Sequence, residues 1–314
     1  MAKIKSPTEF QRAFFAPKYW GIWLMLGCVR LMALLPYAMK FRVGRTIGRL
    51  LWRIAGKRRK IALTNIAIAF PEKSEQEQLA LAKAHFESLG MSFAEMAIVW
   101  FGDHKKQHST AFERSIVRFK GEQNLIDALQ SDKGVLILGP HFTTLEFTGL
   151  FISFLTNYHA VYRPHDNPFM DYVIAKGRSI NFDNGDSVTP VSNANTRLML
   201  KVLKSGGAMT ILPDQKYRAK GSVKVPLFGQ EAPSNPATSK IAKLTDCVVI
   251  PVFTRRITTD QGIRYEVEFL PALEQFPSDD DYQDTLRLHA LYEEAIRQTP
   301  EQYLWVHNRW DLKL

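Results

Sequence analysis

Four short, almost wholly apolar runs punctuate the sequence between residues 134 and 250: Gly134-Val135-Leu136-Ile137-Leu138, Ala160-Val161-Tyr162, Ala208-Met209-Thr210-Ile211-Leu212 and Cys247-Val248-Val249-Ile250. Runs of this length without polar alternation read as strands buried on both faces, which requires helices on both sides of a sheet. Helix candidates near 144–156, 168–180, 194–205 and 234–245 lie between and around them, and a strand pair near 252–270 precedes a helix near 280–299. This alternation predicts an α/β fold with a largely parallel central sheet flanked by helices. No internal repeat, low-complexity tract or long linker interrupts it.

The first third reads differently. Residues 37 to about 115 carry helical periodicity, with Leu79, Ala82, Phe86, Leu89 and Phe93 on one face and a break at Pro71-Glu72-Lys73-Ser74. Before them, Tyr19 to Leu35 form an apolar run interrupted by Arg30 and ended by Pro36. As a helix it covers roughly 25 Å, a little short of the ~30 Å hydrocarbon core of a bilayer. Tyr19, Trp20 and Tyr37 mark its ends as interfacial aromatics do, and Arg30 would have to snorkel. Lys3, Lys5, Arg12 and Lys18 precede the run, but no small-x-small cleavage site follows it. Arg42, Arg45, Arg49, Arg53 and Lys57-Arg58-Arg59-Lys60 come next, the pattern of a segment held against anionic headgroups. The expected division is an N-terminal membrane-anchor helix in 1–40 and one domain in 41–314, helical over 41–115 and α/β over 116–314. Whether the first helix spans the bilayer, lies in its interface or is a buried soluble helix stays open at this level. Cys28 and Cys247 sit in apolar surroundings without metal-ligand spacing and read as reduced thiols.

Chemistry concentrates in Gly139-Pro140-His141-Phe142-Thr143-Thr144-Leu145-Glu146. It follows a buried strand and opens a helix, the place where α/β proteins put ligand sites. Five residues apart on one helix, His141 and Glu146 would sit about 140° apart, so they meet only with His141 in the turn and Glu146 in the first helical turn. The expected pairing is a neutral His141 imidazole as general base, with Glu146 on its far nitrogen fixing the tautomer. Two plainer readings compete: Thr143-x-x-Glu146 fits a capping box, and His141 could be a histidine bonded to backbone. There is no G-x-S-x-G elbow, H-E-x-x-H zinc pair or phosphate-binding G-x-x-x-x-G-K-[ST]. No protein nucleophile is advertised, so a hydroxyl activated by His141 belongs to a substrate.

These motifs, in this order, resemble the lipid A late acyltransferases, the lauroyl and myristoyl transferases of Gram-negative inner membranes within the His-x4-Asp/Glu glycerolipid acyltransferase group. The resemblance is carried by Asn65-Ile66…Phe70-Pro71, Phe86-Glu87-Ser88-Leu89-Gly90-Met91, His141-Phe142-x-x-Leu145-Glu146 and Tyr162-Arg163-Pro164-x-x-Asn167-Pro168. It continues through Gly177-Arg178, Pro213-Asp214-Gln215 and Pro300-Glu301-Gln302-Tyr303-Leu304-Trp305-x-His307-x-Arg309. It implies transfer of a fatty acyl chain from acyl carrier protein to a hydroxyl of a Kdo-bearing, phosphorylated lipid A precursor. His141 would remove the hydroxyl proton, no covalent acyl-enzyme would form, and no metal or dissociable organic cofactor is implied. It also implies an inner-membrane location with the catalytic domain on the cytoplasmic side.

Arg163 and Arg178 match positions in this pattern and suit bidentate recognition of phosphate or carboxylate; the alternative is a tie to a carboxylate such as Asp166 or Asp183. Asp214 could orient an arginine or receive a substrate hydroxyl, against a plain turn-initiating role. His307 and Arg309 either complete the site or cap the fold. The segment Lys216-Tyr217-Arg218-Ala219-Lys220-Gly221 departs from the pattern by being more basic and lacking an early glycine. Lys+Arg 41 against Asp+Glu 31 gives +10, a surplus suited to an acidic carrier protein and a phosphorylated acceptor. Other readings are an acyltransferase for another glycerolipid or glycolipid, and a non-catalytic protein that binds anionic membranes. Nucleic acid is the weakest partner, because the aromatics lie in apolar runs rather than among basic residues.

Overall fold

The computed structural model describes residues 9–102, 111, 115–181 and 187–313; Lys3, Lys5 and Asp183 lie outside them. Over the described residues the chain forms a mixed α/β structure around a sheet of seven strands, in the order β1 (Val117–Lys120), β11 (Gly262–Phe269), β10 (Val248–Thr259), β2 (Val135–Leu138), β7 (Ala208–Ile211), β3 (Tyr158–Tyr162) and β6 (Val191–Ser192). Only the β10–β11 pairing is antiparallel; every other neighbouring pair is parallel. Two small hairpins lie outside the sheet, β4 (Ile180–Asn181) with β5 (Ser187–Val188), and β8 (Val223–Leu227) with β9 (Gln230–Ser234).

Why the four apolar runs carry no alternation is visible in the core. Val135, Ile137, Ala208 and Ile250 face one side of the sheet, whereas Leu136, Leu138, Met209, Ile211 and Val249 face the other. Both sides are covered. On the first pack α5 (Glu122–Leu129) and α6 (Leu145–Ser153); on the second pack α8 (Thr196–Lys204), α9 (Ala237–Thr245) and α10 (Asp281–Gln298). A further helix, α7 (Pro168–Gly177), starts at an Asn167 cap whose carboxamide accepts from the amides of Phe169 and Met170.

Sequence reading divides 247–270 into three strands, but β10 runs unbroken from Val248 to Thr259. Pro251 does not end it because it sits where the strand changes partners. Val248 to Pro251 pair with β2, and Val252 to Thr259 pair with β11. A residue without an N–H is tolerated at such a handover. Beyond it, the open side of β10 is closed by side chains. Thr144 Oγ1 donates to Thr254 O (2.8 Å), and the Gln302 carboxamide accepts from Arg256 N (2.8 Å) and donates to Arg256 O (2.9 Å). Gln302 thus imitates a strand neighbour.

Ahead of the sheet come α1 (Trp20–Ala33), α2 (Tyr37–Ile54), α3 (Gly56–Ala69) and α4 (Glu75–Phe101). The long α4 starts at a full capping box, with Ser74 and Glu77 each bonding the other's backbone N–H. Gly44 and Gly48 of α2 cross Gly90 of α4 with backbones nearly touching: a Cβ on Gly44 would lie 2.8 Å from Gly90 O. Among the described residues no helix is long and apolar enough to cross a membrane. The 14-residue α1 packs Val29 and Met32 into the core beside α4, while Trp20, Leu24, Leu31 and Leu34 stay exposed.

Candidate active site

Sheet register decides which residues meet. Leu138 at the end of β2 is paired with Ile211 at the end of β7. His141 and Asp214 each lie three residues past that pair, so the two loops emerge side by side at the carboxyl edge. His141 Nδ1 and Asp214 Oδ1 are 2.6 Å apart, with the carboxylate 2% exposed and the imidazole 21% exposed. Burial would raise the Asp214 pKa, but the charge and hydrogen bond of His141 outweigh it and hold the carboxyl below its ordinary value. An Nδ1–H held on a carboxylate leaves Nε2 as the basic nitrogen.

The expected partner of His141 was Glu146, and the structure corrects this. Helix α6 begins at Leu145, so His141 is in the turn and Glu146 in the first helical turn, yet the Glu146 carboxylate turns to an arginine. Its Oε1 accepts from Arg178 Nε (3.0 Å) and Nη2 (2.5 Å), and its Oε2 from the Trp100 indole (2.9 Å). His141, outside the helix, is taken by Asp214, and Arg178, arriving at the end of α7, takes the Glu146 carboxylate. Glu146 does not cap α6 either: the cap residue is Thr144, and the Thr143 hydroxyl instead bonds Ser88 Oγ (2.7 Å).

The His141 turn is held from several sides. Thr143 N donates to Gln302 O (2.7 Å) and Leu304 N donates to His141 O (3.0 Å), so the segment Gln302–Leu304 is zipped along it. Asn65 of α3 secures the same C-terminal segment by donating to Trp305 O (2.7 Å) and His307 O (2.6 Å). Behind Ser88 lies a fully buried charge network: Arg256 donates to Ser88 Oγ (2.9 Å) and Glu95 Oε1 (2.7 Å), and Tyr265 donates to the same carboxylate oxygen (2.6 Å). Gln302, Tyr303 and Trp100 were not singled out from the sequence as site residues. Gln302 and Tyr303 stand in the quoted C-terminal motif, but nothing local said that they reach the His141 turn.

The other expected site residues are spread unevenly. Arg178 is at the site, through Glu146. Arg163 follows β3 and is exposed, paired with Asp166 (3.0 Å). His307 lies beside the His141–Asp214 pair; its Nε2 accepts from Lys216 N (3.2 Å), and burial pushes the ring down to about 4 against the pull of the Asp214 charge. Arg309 is buried and donates to Pro233 O, Ser234 Oγ and His289 Nε2, reaching Asp214 only through its charge. The basic 216–221 segment is tied down by Asp311, which pairs with Lys216 (3.1 Å) and Arg218.

Between α6 and the sheet lies a largely apolar cavity of ≈ 80 Å³, walled by Ile137, Leu150, Ala160 and Val252, with Glu146 and Arg178 in its lining. Gly139 and Leu212, which lead into the His141 and Asp214 loops, line it as well. An imidazole with Nδ1 on a carboxylate thus stands two residues beyond the lining of an apolar cavity that also holds a guanidinium. That combination can deprotonate a hydroxyl, stabilise a developing negative charge and house a hydrocarbon group.

Comparison with known proteins agrees with this chemistry. The family model described as bacterial lipid A biosynthesis acyltransferase matches residues 7–311. The lipid A biosynthesis lauroyltransferase of Escherichia coli K12 is 31% identical over 96% of this chain and 95% of its own length. The palmitoleoyltransferase of the same organism is 30% identical (96% and 94% covered), and the myristoyltransferase 24% identical (95% and 89%). The chain is an acyltransferase and belongs to the bacterial lipid A biosynthesis acyltransferase family.

Proposed function

We propose that this protein transfers a fatty acyl chain from acyl carrier protein to a hydroxyl of a phosphorylated, Kdo-bearing lipid A precursor, with His141 as general base. The observation that carries this reading is the 2.6 Å His141–Asp214 bond at the carboxyl edge of the parallel sheet, beside an apolar cavity. His141 Nε2 takes the proton of the acceptor hydroxyl as its oxygen attacks the thioester carbon. The tetrahedral intermediate collapses with cleavage of the C–S bond, and the imidazolium returns the proton to the departing thiolate. Asp214 fixes the tautomer and stabilises the imidazolium, as the carboxylate of a triad does. Glu146 holds Arg178 at the cavity, where the guanidinium supports the oxyanion.

The protein acts at the cytoplasmic face of the inner membrane, with residues 1–40 forming part of its attachment. Support comes from the exposed faces of α1 and α2. Trp20, Leu24, Leu31 and Leu34 continue into Met39, Val43, Leu50 and Ile54, and Arg42, Arg49 and Arg53 are interleaved with the last four. At about 1.5 Å per residue α1 is about 21 Å long. Short helices with an apolar row and flanking arginines lie in the headgroup region rather than across the bilayer. Flotation with anionic vesicles, lost on Leu24→Ser with Leu31→Ser and weakened by Arg42→Glu with Arg53→Glu, is expected; equal binding by all variants would contradict it.

The reaction is tested by incubating detergent-solubilised protein with acyl carrier proteins bearing different chains and a tetra-acylated Kdo-lipid A precursor, read by mass spectrometry. One added acyl mass, absent with His141→Ala, is expected. No product from any donor would overturn the reading, and product on a different phosphoglycolipid alone would move the acceptor.

A further inference from the structure

Helix α6 passes over the sheet with Gly149 facing the first residue of β3. A Cβ at Gly149 would lie 2.6 Å from the Tyr158 hydroxyl and within 3.9 Å of the ring carbon that bears it, so the phenol occupies the space that any side chain at 149 would need. Both residues line the cavity that holds Glu146 and Arg178. Tyr158 is buried at 6% exposure. Burial and the neighbouring Glu146 charge both raise the pKa of its hydroxyl, so it is a neutral phenol. By the same measure a single water requires roughly 10–15 Å³, and a mostly apolar cavity several times larger suits hydrocarbon better than water.

We propose that Gly149 and Tyr158 form the wall that selects acyl-chain length, the tyrosine hydroxyl seated against a position that must stay free of a side chain. This rests on the acyl-transfer reading and assigns that site its chain-length determinant. A methyl group at 149 displaces the phenol into the cavity and shortens the room for hydrocarbon. Removing the hydroxyl makes room for that methyl, so the two changes compensate. Misfit of one methylene in an apolar pocket changes discrimination by roughly 10–200-fold.

The test compares kcat/KM for acyl carrier protein loaded with a short (C10) and a long (C16) chain in the same preparation. Because each value is a ratio within one sample, loss of folded protein cancels. Gly149→Ala should move the long-to-short ratio toward the short donor by about tenfold or more. Tyr158→Phe should move it the other way by less, and Gly149→Ala with Tyr158→Phe should return it to within about threefold of the parent. If Gly149→Ala does not fold, Tyr158→Ala carries the test, with a shift toward the long donor expected. An unmoved ratio in variants that still transfer, or a double variant no nearer the parent than Gly149→Ala, overturns this inference alone. Absence of transfer from every donor by the unsubstituted protein overturns the acyl-transfer reading together with it.

Discussion

Asp214 and Glu146 are both carboxylates at the carboxyl edge of one sheet, 2% and 13% exposed, yet they hold different partners. Asp214 stands on a loop in register with the His141 loop and takes the imidazole. Glu146 stands on the first turn of the helix that His141 introduces and takes a guanidinium delivered 32 residues later. Closeness in sequence is thus a poor guide to partnership here, because a helix turns a neighbour away while parallel strands bring distant loops together. The division also separates two arrangements: one carboxylate orients an imidazole, and the other fixes a positive charge beside the cavity.

The largest effects should fall on the first pair. His141→Ala is expected to lower kcat by about 10⁴-fold, and Asp214→Asn by a comparable amount because it leaves the imidazole without its tautomer lock. The second pair should cost less. Glu146→Gln and Arg178→Lys are each expected to lower kcat by roughly 10²–10³-fold, the scale of losing one oxyanion-stabilising group. The double variant should be little worse than either single one, since the two residues act as a unit. Steady-state kinetics on all five proteins would break the division of duties if Glu146→Gln proved as damaging as His141→Ala while Asp214→Asn stayed active.

The predicted strands could be placed because a doubly covered sheet demands continuous apolar runs, and Val135 to Leu138 supply one. The helices could be placed because their buried faces recur at helical spacing. What stayed hidden was the order of strands. β7 follows β2 by some seventy residues, with β3 between them in the chain, yet it lies next to β2 in the sheet. No local pattern encodes that insertion, so Asp214 reads from sequence as a partner for an arginine or a substrate hydroxyl, and not for His141. Gln302 was hidden for a related reason: its carboxamide replaces a missing strand partner along β10, a contact set by topology and not by its own neighbourhood. Arg309 had the residue type of a ligand group, but its packing against Pro233, Ser234 and His289 makes it a brace.

A smaller effect comes from two buried histidines without a carboxylate in hydrogen-bond reach, His85 on the Glu301 carbonyl and His289 facing the Arg309 guanidinium. Burial pushes His85 and His289 down to about 4. Below about pH 6.5 the unfolded chain takes up protons that the folded one refuses, so stability present at neutral pH is lost as pH falls from about 6.5 toward 4. Each group contributes a slope of up to about 1.4 kcal/mol per pH unit in that window. Denaturant unfolding across it should give a falling stability that His289→Asn makes shallower. A flat profile would mean that these rings are protonated in the fold.

The central claim is that Asp214, not Glu146, sets the protonation of His141. Nitrogen-15 spectra of histidine-labelled protein, with the His141 signals assigned by their loss in His141→Ala, address it without depending on substrate. The expected result is a protonated Nδ1 and an unprotonated Nε2 at neutral pH, unchanged in Glu146→Gln and scrambled in Asp214→Ala. Retention of that tautomer in Asp214→Ala with its loss in Glu146→Gln would contradict the account.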